Sequence, residues 1–307
     1  MTKKILLTGS NGLLGQKITN QIISSHPEVD LLATSRGVNR HPNSLDFTYR
    51  GLDLLDEEKV FQVIEEFQPD SIIHTAAMTQ VDLCEDKKEM CDAINIGTVR
   101  TLAKACERFN VHLVHISTDF VFNGEEGPYK EDAQPDPVNY YGHSKWKAEQ
   151  VLVESPVSSA ILRTILLYGI TPAMSRSNIV LWVKGSLEQA KPIRVVNDQY
   201  RNPTLVEDLA DASIQAALRK AEGIYHISGP EGMWIVDIAR RVADYFGLDK
   251  RLISETDSAS LGQKAKRPPK TGFIIDKAQR DLGFSPRVLE EGLALLQQQM
   301  LVLDSGV

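Results

Sequence analysis

The chain has 307 residues, 42% hydrophobic and 24% charged, which is an ordinary composition for a globular protein with a large core. Its formal net charge is −7, with 41 acidic residues against 34 lysines and arginines, so nucleic acid is not expected as the main partner. No stretch approaches the ~18 consecutive apolar residues of a membrane span, so no membrane association is predicted.

Two features of the sequence bear on the compartment. The opening "MTKKILLTGS" carries two lysines, but its apolar run at residues 5–7 is too short for a signal peptide and predicts a first buried strand. The cysteines, Cys84, Cys91 and Cys106, are odd in number and form no CxxC pair, as expected of reduced thiols. We therefore expect a cytoplasmic protein.

Short apolar runs alternate with helical patterns along the first half of the chain. Strands are predicted at residues 3–8, 29–35, 47–54, 71–77, 111–117 and 159–169, and helices at 13–26, 56–67, 87–109 and 140–154. This alternation predicts an α/β fold of the Rossmann type, with a doubly wound parallel sheet and helices on both faces.

The alternation loosens after Gly169. Helices are predicted at 178–190, 206–221, 234–247 and 288–300, and strands at 193–196 and 223–228. We expect a Rossmann domain at residues 1–168 and a smaller C-terminal α/β lobe at 169–307. Segments near 195–225 are expected to return to the main sheet.

A glycine-rich turn, "TGSNGLLG", follows the first strand and opens a helix. Gly9 permits a tight turn, Gly12 lets backbone N–H groups approach a pyrophosphate, and Gly15 lets the helix pack closely on the strand. The spacing is GxxGxxG instead of GxGxxG, but the physical requirements are the same. The predicted nucleotide-binding residues of this turn are Gly9, Ser10, Asn11, Gly12, Leu13, Leu14 and Gly15.

The end of the second strand reads "TSRG" and lacks the acidic residue that binds the ribose 2′-hydroxyl of NAD. A hydroxyl at Ser35 and a guanidinium at Arg36 suit a 2′-phosphate, so NADP(H) is the preferred cofactor and NAD(H) the alternative. The other reading of Arg36 is a solvated charge. Asp53, after the third strand, could accept from the adenine amino group or cap a helix.

The stretch "YYGHSK" places two tyrosines before Lys145. Tyr141 lies four residues from Lys145, about 40° away around a helix, whereas Tyr140 lies about 140° away on another face. A nearby ammonium stabilises a phenolate, so Lys145 is expected to lower the pKa of Tyr141 and prepare it for proton transfer. The motif by itself also occurs in purely structural helices.

A second group of polar residues, "HISTDFVFNG", ends the fifth strand, where sheets of this type bind ligands. A hydroxyl of Ser117 or Thr118 beside Tyr141 would bind a carbonyl oxygen, while the structural alternative is a Ser/Thr turn. The seven histidines show no metal-ligand spacing, and no metal site is predicted. His74 and His115 lie in apolar strands and are interpreted as packed, neutral side chains.

These motifs together resemble the extended short-chain dehydrogenase/reductase family. The residues that carry the resemblance are "TGSNGLLG", "HTAA" at 74–77, "INIGT" around Asn95, "STDFVFNG", "YYGHSK", "RTILLYG" and "NPTLVEDLA". Within this family the chain is most similar to the dTDP-4-dehydrorhamnose reductases, through 117–124, 203–210, Arg267–Pro268 and Asp276–Lys277. The segments "QYRNPTLVEDLA" and "TDSASLGQKAKRP" also resemble the regulatory subunit of methionine adenosyltransferase, which keeps the fold and cofactor but acts through a protein partner.

The resemblance implies a role for each matched residue. Thr118 would bind the sugar ketone, Tyr141 would donate the proton, and Lys145 would tune Tyr141 and grip the ribose, with Asn95 supporting the helix behind it. The implied cofactor contacts are completed by Asp53 and Leu54 at the adenine, by Ala76, Ala77 and Met78 beside the ribose, and by Ser117. A homodimer through helices such as 87–109 and 139–154 is also implied.

The resemblance implies reduction of the 4-keto group of a nucleotide-linked deoxysugar, with dTDP-4-dehydro-L-rhamnose as the expected substrate. Another sugar-nucleotide reductase or epimerase is the alternative enzyme. Related dehydratases carry an Asp-Glu pair after the threonine, but here Asp119 is followed by Phe120, so the base for water elimination is missing. Asp119 is expected to meet the substrate, and Leu166 to contact it where the reductases often have a tryptophan. Arg201, a planar donor on a predicted loop, is expected to bind the nucleotide diphosphate.

Overall fold

A sheet of seven parallel strands forms the centre of the computed structural model, which describes residues 2–43, 45–172, 174 and 177–305. The strands are β1 (Lys3–Thr8), β2 (Val29–Ser35), β3 (Thr48–Gly51), β4 (Ser71–His74), β5 (His112–Thr118), β6 (Ser159–Thr164) and β11 (Gly223–Ile227). Their order is β11-β6-β5-β4-β1-β2-β3. The order reverses between β1 and β4, and the carboxyl ends of strands at such a reversal form a crevice that suits ligands.

The helices of the first half cover both faces of this sheet. They are α1 (Leu13–Ser25), α2 (Glu57–Phe67), α3 (Val81–Asp86), α4 (Lys88–Asp92), α5 (Thr98–Phe109) and α6 (Tyr140–Val153). The long helix predicted at 87–109 is interrupted by a π-helical turn, Ala93–Gly97. The later helices are α7 (Ile179–Glu188), α8 (Val206–Arg219), α9 (Ile235–Tyr245), α10 (Asp276–Leu282) and α11 (Leu289–Ser305).

Alternate residues of each strand enter two different cores, because successive side chains of a strand point to opposite faces. Ile5 and Leu7 of β1 pack with α1, α8 and α10, whereas Leu6 packs with α2, α5 and α6. The same alternation continues in the neighbouring strands. The predicted Rossmann-type doubly wound sheet is therefore confirmed.

A third core is built from the C-terminal segments. Residues of α7, α9 and α11 pack around a small parallel pair of strands, β8 (Ile193–Val196) and β13 (Ile253–Thr256). The remaining short strands are β7 (Leu167–Tyr168), β9 (Tyr200–Arg201), β10 (Thr204–Leu205) and β12 (Met233–Trp234). Helix α8 and strand β11 belong to the main sheet and its covering layer. The domain boundary at residues 168 and 169 stays a prediction.

The three cysteines are buried thiols. Within the described ranges, no helix combines the length and apolar character that a bilayer span needs.

Candidate functional site

A cavity of about 470 Å³ opens at the carboxyl ends of β1, β4 and β5, beside the reversal in strand order. Twelve of the predicted site residues line it. They are Asn11, Gly12, Leu13, Leu14, Gly15, Ala77, Ser117, Thr118, Asp119, Tyr141, Lys145 and Leu166. The cavity therefore joins the glycine-rich turn to the tyrosine, lysine and threonine that were selected from separate motifs.

The glycine-rich turn needs its glycines for two local reasons. Gly9 has a φ of 78°, and a Cβ there would lie 2.7 Å from the backbone nitrogen of Ala76. A Cβ on Gly15 would lie 2.4 Å from the carbonyl oxygen of Gly9. Gly12 begins α1 without a side-chain cap, so the first N–H groups of the helix are available to an anion in the cavity. Ser10 is buried beside this turn.

A single asparagine ties the glycine-rich turn to the loop that follows β2. The Nδ2 of Asn11 donates to the carbonyl of Val38 at 2.9 Å, and its Oδ1 accepts from the backbone nitrogen of Arg40 at 2.9 Å. Arg36 lies exposed on this loop, just after Ser35, and makes no ion pair in the described part of the chain. Asn11 of the glycine-rich turn thus holds the conformation of the loop, and the exposed Arg36 guanidinium can contact a ligand.

Several predicted cofactor residues lie behind or beside the cavity instead of lining it. Asp53 is exposed and accepts a hydrogen bond from the backbone nitrogen of Leu55 at 3.1 Å, while Asp56 caps α2. Asp56, and not Asp53, therefore caps helix α2. Leu54 packs against the core that contains α2, and Ala76 and Met78 belong to the segment after β4.

Asn95 is fully enclosed in the π-helical turn and connects two parts of the site. Its Oδ1 accepts from the backbone nitrogen of Met78 at 2.8 Å, and its Nδ2 donates to the Oγ of Ser144 at 2.9 Å. Ser144 precedes Lys145 on α6. Asn95 therefore fixes the segment after β4 against the helix that carries the lysine.

The placement of Tyr141 follows from the start of α6. Asn139 caps the helix by accepting from the backbone nitrogen of Gly142 at 2.8 Å. A Cβ on Gly142 would lie 2.0 Å from the carbonyl of Phe120, so only glycine lets the helix approach the segment after β5 this closely. Tyr141 and Thr118 are thereby brought to the same cavity wall, close enough for the Thr118 hydroxyl to affect the phenol.

The two tyrosines point in different directions, as the helical step requires. The hydroxyl of Tyr140 donates to Asp92 at 2.8 Å, on the side of α4. Tyr141 and Lys145 line the cavity together.

The electrostatics of Tyr141 differ from the expectation. Its pKa is raised instead of lowered, first because the phenol is removed from water and further because of the negative charge of Asp119; the hydrogen bond with Thr118 partly opposes the rise. The ammonium of Lys145 donates to the carbonyl of Ile116 at 2.7 Å and to Nε2 of His115 at 3.0 Å instead of to the phenol. Burial lowers the pKa of Lys145 to about 8.

A buried ion pair that sequence reasoning missed anchors the same helix. Arg163 of β6 and Glu149 of α6 are 1% and 2% exposed. The guanidinium reaches both carboxylate oxygens, with Nη2 to Oε2 at 2.7 Å and Nε to Oε1 at 3.0 Å. Ser117 also donates to Oε1 of Glu149, at 2.5 Å. Glu149 lies one turn beyond Lys145, so the sequence spacing already placed its carboxylate on the same helix face as the lysine.

Arg201 is held inside the protein. It is 2% exposed, and its Nη2 and Nη1 donate to the carbonyls of Pro268 and Tyr200 at 2.6 Å and 2.8 Å. Its Nε lies 3.5 Å from Asp119, which also accepts from Thr271 at 2.5 Å. In this arrangement Arg201 reaches the cavity only through Asp119, and its contact with a nucleotide diphosphate stays a prediction.

Asp119 is the part of this network that does line the cavity. Burial raises the pKa of Asp119 above its ordinary value, and the positive charge of Arg201 opposes that rise. Leu166 also lines the cavity and has a φ of 41°, an uncommon conformation for a leucine. Lining residues missed from the sequence include Thr75 and Thr164, although both lie at the carboxyl ends of strands, where the fold rule directs attention.

Comparison with known proteins identifies the family. The model of the RmlD substrate binding domain family matches residues 3–302. The chain belongs to this family. Spore coat polysaccharide biosynthesis protein SpsK of Bacillus subtilis is 32% identical over 304 residues, which cover 98% of this chain and 99% of SpsK.

Two other relatives correspond to the two resemblances found in the sequence, which are thereby confirmed. Methionine adenosyltransferase 2 subunit beta of Xenopus laevis is 32% identical over 252 residues, covering 80% of this chain and 73% of the relative. The crystal structure of dTDP-4-dehydrorhamnose reductase from Bacillus anthracis in complex with NADP has a TM-score of 0.82 and 28% identity. The match covers 97% of this chain and 100% of the reductase chain.

We expect Arg163→Ala to destabilise this RmlD-family protein by about 3–5 kcal/mol, because it leaves the Glu149 carboxylate buried without its partner. Arg50→Ala is the matched control, since Arg50 forms an exposed ion pair with Glu66 at 2.7 Å and its loss should cost at most about 1 kcal/mol. Urea unfolding of the two variants measures the difference. Equal losses would contradict the anchoring role of the buried pair.

Proposed function

We propose that this protein is an NAD(P)H-dependent oxidoreductase that reduces the 4-keto group of a nucleotide-linked deoxysugar. The best candidate substrate is dTDP-4-dehydro-L-rhamnose, which would be converted to dTDP-L-rhamnose. The observation that carries the proposal is the placement of Thr118, Tyr141 and Lys145 together in a cavity that begins at the glycine-rich turn. The relationship to a reductase crystallised with NADP supports it.

The residues present fit NADP(H), the proposed cofactor. The uncapped start of α1 suits a pyrophosphate, and the exposed Arg36 beside Ser35 suits a 2′-phosphate. Lys145 lines the cavity and has one N–H donor left, with which it could hold a ribose hydroxyl. When bound, the nicotinamide supplies a hydride. NAD(H) stays the alternative cofactor.

On the substrate side, Thr118 would donate a hydrogen bond to the ketone oxygen and Tyr141 would deliver its proton there. The raised pKa of Tyr141 keeps the phenol protonated at neutral pH, which is the form that ketone reduction needs from its acid. Asp119 and Leu166 line the adjoining part of the cavity and are proposed to contact the sugar. Arg201, which lies behind Asp119, stays a predicted substrate-binding residue.

Reduction is preferred over water elimination because of the residue after Asp119. Phe120 stands where the related dehydratases have a glutamate, and its ring meets the Tyr141 ring edge-on, with centroids 6.0 Å apart. An aromatic ring cannot remove the proton that an elimination requires.

A second candidate function is an NADP-binding regulatory subunit that acts through a protein partner. The observation in its favour is the 32% identity to methionine adenosyltransferase 2 subunit beta. Homodimer formation and a cytoplasmic location stay predictions under either function.

The two candidates are separated by incubating the purified protein with NADPH and dTDP-4-dehydro-L-rhamnose while following NADPH absorbance and product formation. A reductase consumes NADPH and yields dTDP-L-rhamnose. NADPH binding without turnover, under conditions in which an established reductase is active, would overturn the reductase proposal for this substrate and favour the regulatory one.

Tyr141→Phe is expected to reduce kcat by about 10²-fold or more, because it removes the proton donor, while leaving NADPH affinity nearly unchanged. Tyr140→Phe is the matched control, since its hydroxyl bonds to Asp92 on another helix face. Steady-state kinetics and NADPH titrations of both variants provide the test. A comparable loss of kcat in the two variants would argue against Tyr141 as the proton donor.

Arg36→Ala should weaken NADPH binding about tenfold while NADH binding changes little, because only NADPH carries the 2′-phosphate that the guanidinium would bind. Arg50→Ala, on the neighbouring β3, serves as the control for loss of a positive charge. Fluorescence titration with both nucleotides measures the ratio of affinities. An unchanged ratio in Arg36→Ala would remove the basis for NADP(H) preference.

A further inference from the structure

Two acceptors inside the protein bind the ammonium of Lys145. It donates to the carbonyl of Ile116 at 2.7 Å and to Nε2 of His115 at 3.0 Å, and the lysine is 2% exposed. An ammonium has three N–H donors, so one of them remains for the cavity that Lys145 lines. His115 is therefore in direct contact with the group that would grip the cofactor ribose.

His115 can act only as a neutral acceptor in this position. Its side chain is completely buried, and burial together with the positive charge of Lys145 holds its pKa well below the ordinary value. Since Nε2 faces an ammonium and must accept, the ring proton belongs on Nδ1. Among the described residues Nδ1 has no hydrogen-bond partner.

A second histidine provides a comparison within the same structure. The ring of His74 stacks on that of His115, with centroids 5.5 Å apart, and both side chains are buried. Nδ1 of His74 is bonded to the hydroxyl of Thr8 at 2.7 Å. The two rings share size and burial, but it is His115 that contacts Lys145.

We propose that His115 is a positioning residue that fixes the ammonium of Lys145 at the cavity wall by accepting its hydrogen bond as a neutral imidazole. This proposal rests on the proposed function, because the position of the Lys145 ammonium matters only if a cofactor binds in the cavity. Tyr141 then keeps its contact with Thr118, and the lysine serves the cofactor through its remaining donor.

The charged and titratable groups facing Lys145 determine the pH dependence. They are Glu149 on its own helix, Cys91 on α4, His74 on β4 and His115 on β5. The pKa of Lys145 is lowered to about 8 by burial, so the ammonium is present below that pH and is lost as the pH rises through it. Removing the acceptor at His115 makes the ammonium less favourable, which should shift this loss to lower pH.

The test compares three variants by NADPH titration over a range of pH, which needs no sugar substrate. His115→Phe keeps a stacked ring but removes the acceptor, and we expect the basic limb of NADPH binding to move down by about one pH unit, or tenfold in affinity on that limb. His115→Gln, which places an amide oxygen near the Nε2 position, should restore most of the shift. His74 is neutral throughout this range, because burial lowers its pKa to about 3, so His74→Phe should leave the limb in place. Equal shifts in His115→Phe and His74→Phe, or no rescue by glutamine, would overturn the proposal.

A spectroscopic measurement on the wild-type protein decides the same point independently of cofactor binding. In ¹⁵N-labelled protein, the ring nitrogens of His115 should show a neutral imidazole with its proton on Nδ1 at neutral pH. A proton on Nε2, or a charged ring, would overturn the proposal. If NADPH does not bind at all, the proposed function fails, while the tautomer of His115 is still determined.

Discussion

The orientation of the helix that carries the proposed chemistry depends on one buried ion pair. Tyr141, Lys145 and Glu149 follow at intervals of four on α6 and so lie along one face of the helix. Glu149 is held by Arg163 of β6 and by Ser117 of β5, which places its end of the face against the sheet. The other two residues of the face are then directed at the crevice beside the strand reversal. Two buried charges are stable there because they share several hydrogen bonds.

Polar contacts behind the cavity extend this arrangement in both directions along the helix. Asn95 ties Ser144 to the segment after β4, and Gly142 brings the start of the helix against Phe120. The phenol of Tyr141 and the hydroxyl of Thr118 are therefore positioned by the fold itself. Prearranged polar groups of this kind are what proton donation to a developing oxyanion requires.

The sequence was sufficient for the parts of the structure that depend on local periodicity. The alternation of Ile5, Leu6 and Leu7 between two cores follows from the pleat of a strand, and the separation of Tyr140 from Tyr141 follows from the helical step. The partners of the buried charges could not be predicted from the sequence, because they come from segments that are distant along the chain. Arg201 looked like a loop residue, but carbonyls around residues 200 and 268 and the carboxylate of Asp119 enclose it. The pKa of Tyr141 was misjudged for the same reason, since burial and the true partner of Lys145 depend on the tertiary fold.

The two hydrogen bonds of Asn11 to the loop after β2 bear on how the choice of coenzyme could change. Because one amide holds both the glycine-rich turn and the segment that carries Arg36, the regions proposed to bind the diphosphate and the 2′-phosphate are joined by the same side chain. Under the proposed function, a substitution at the exposed Arg36 would alter which dinucleotide is selected without removing the hydrogen bonds that shape the turn. Position 11 is more constrained, because its side chain makes both of these hydrogen bonds at once.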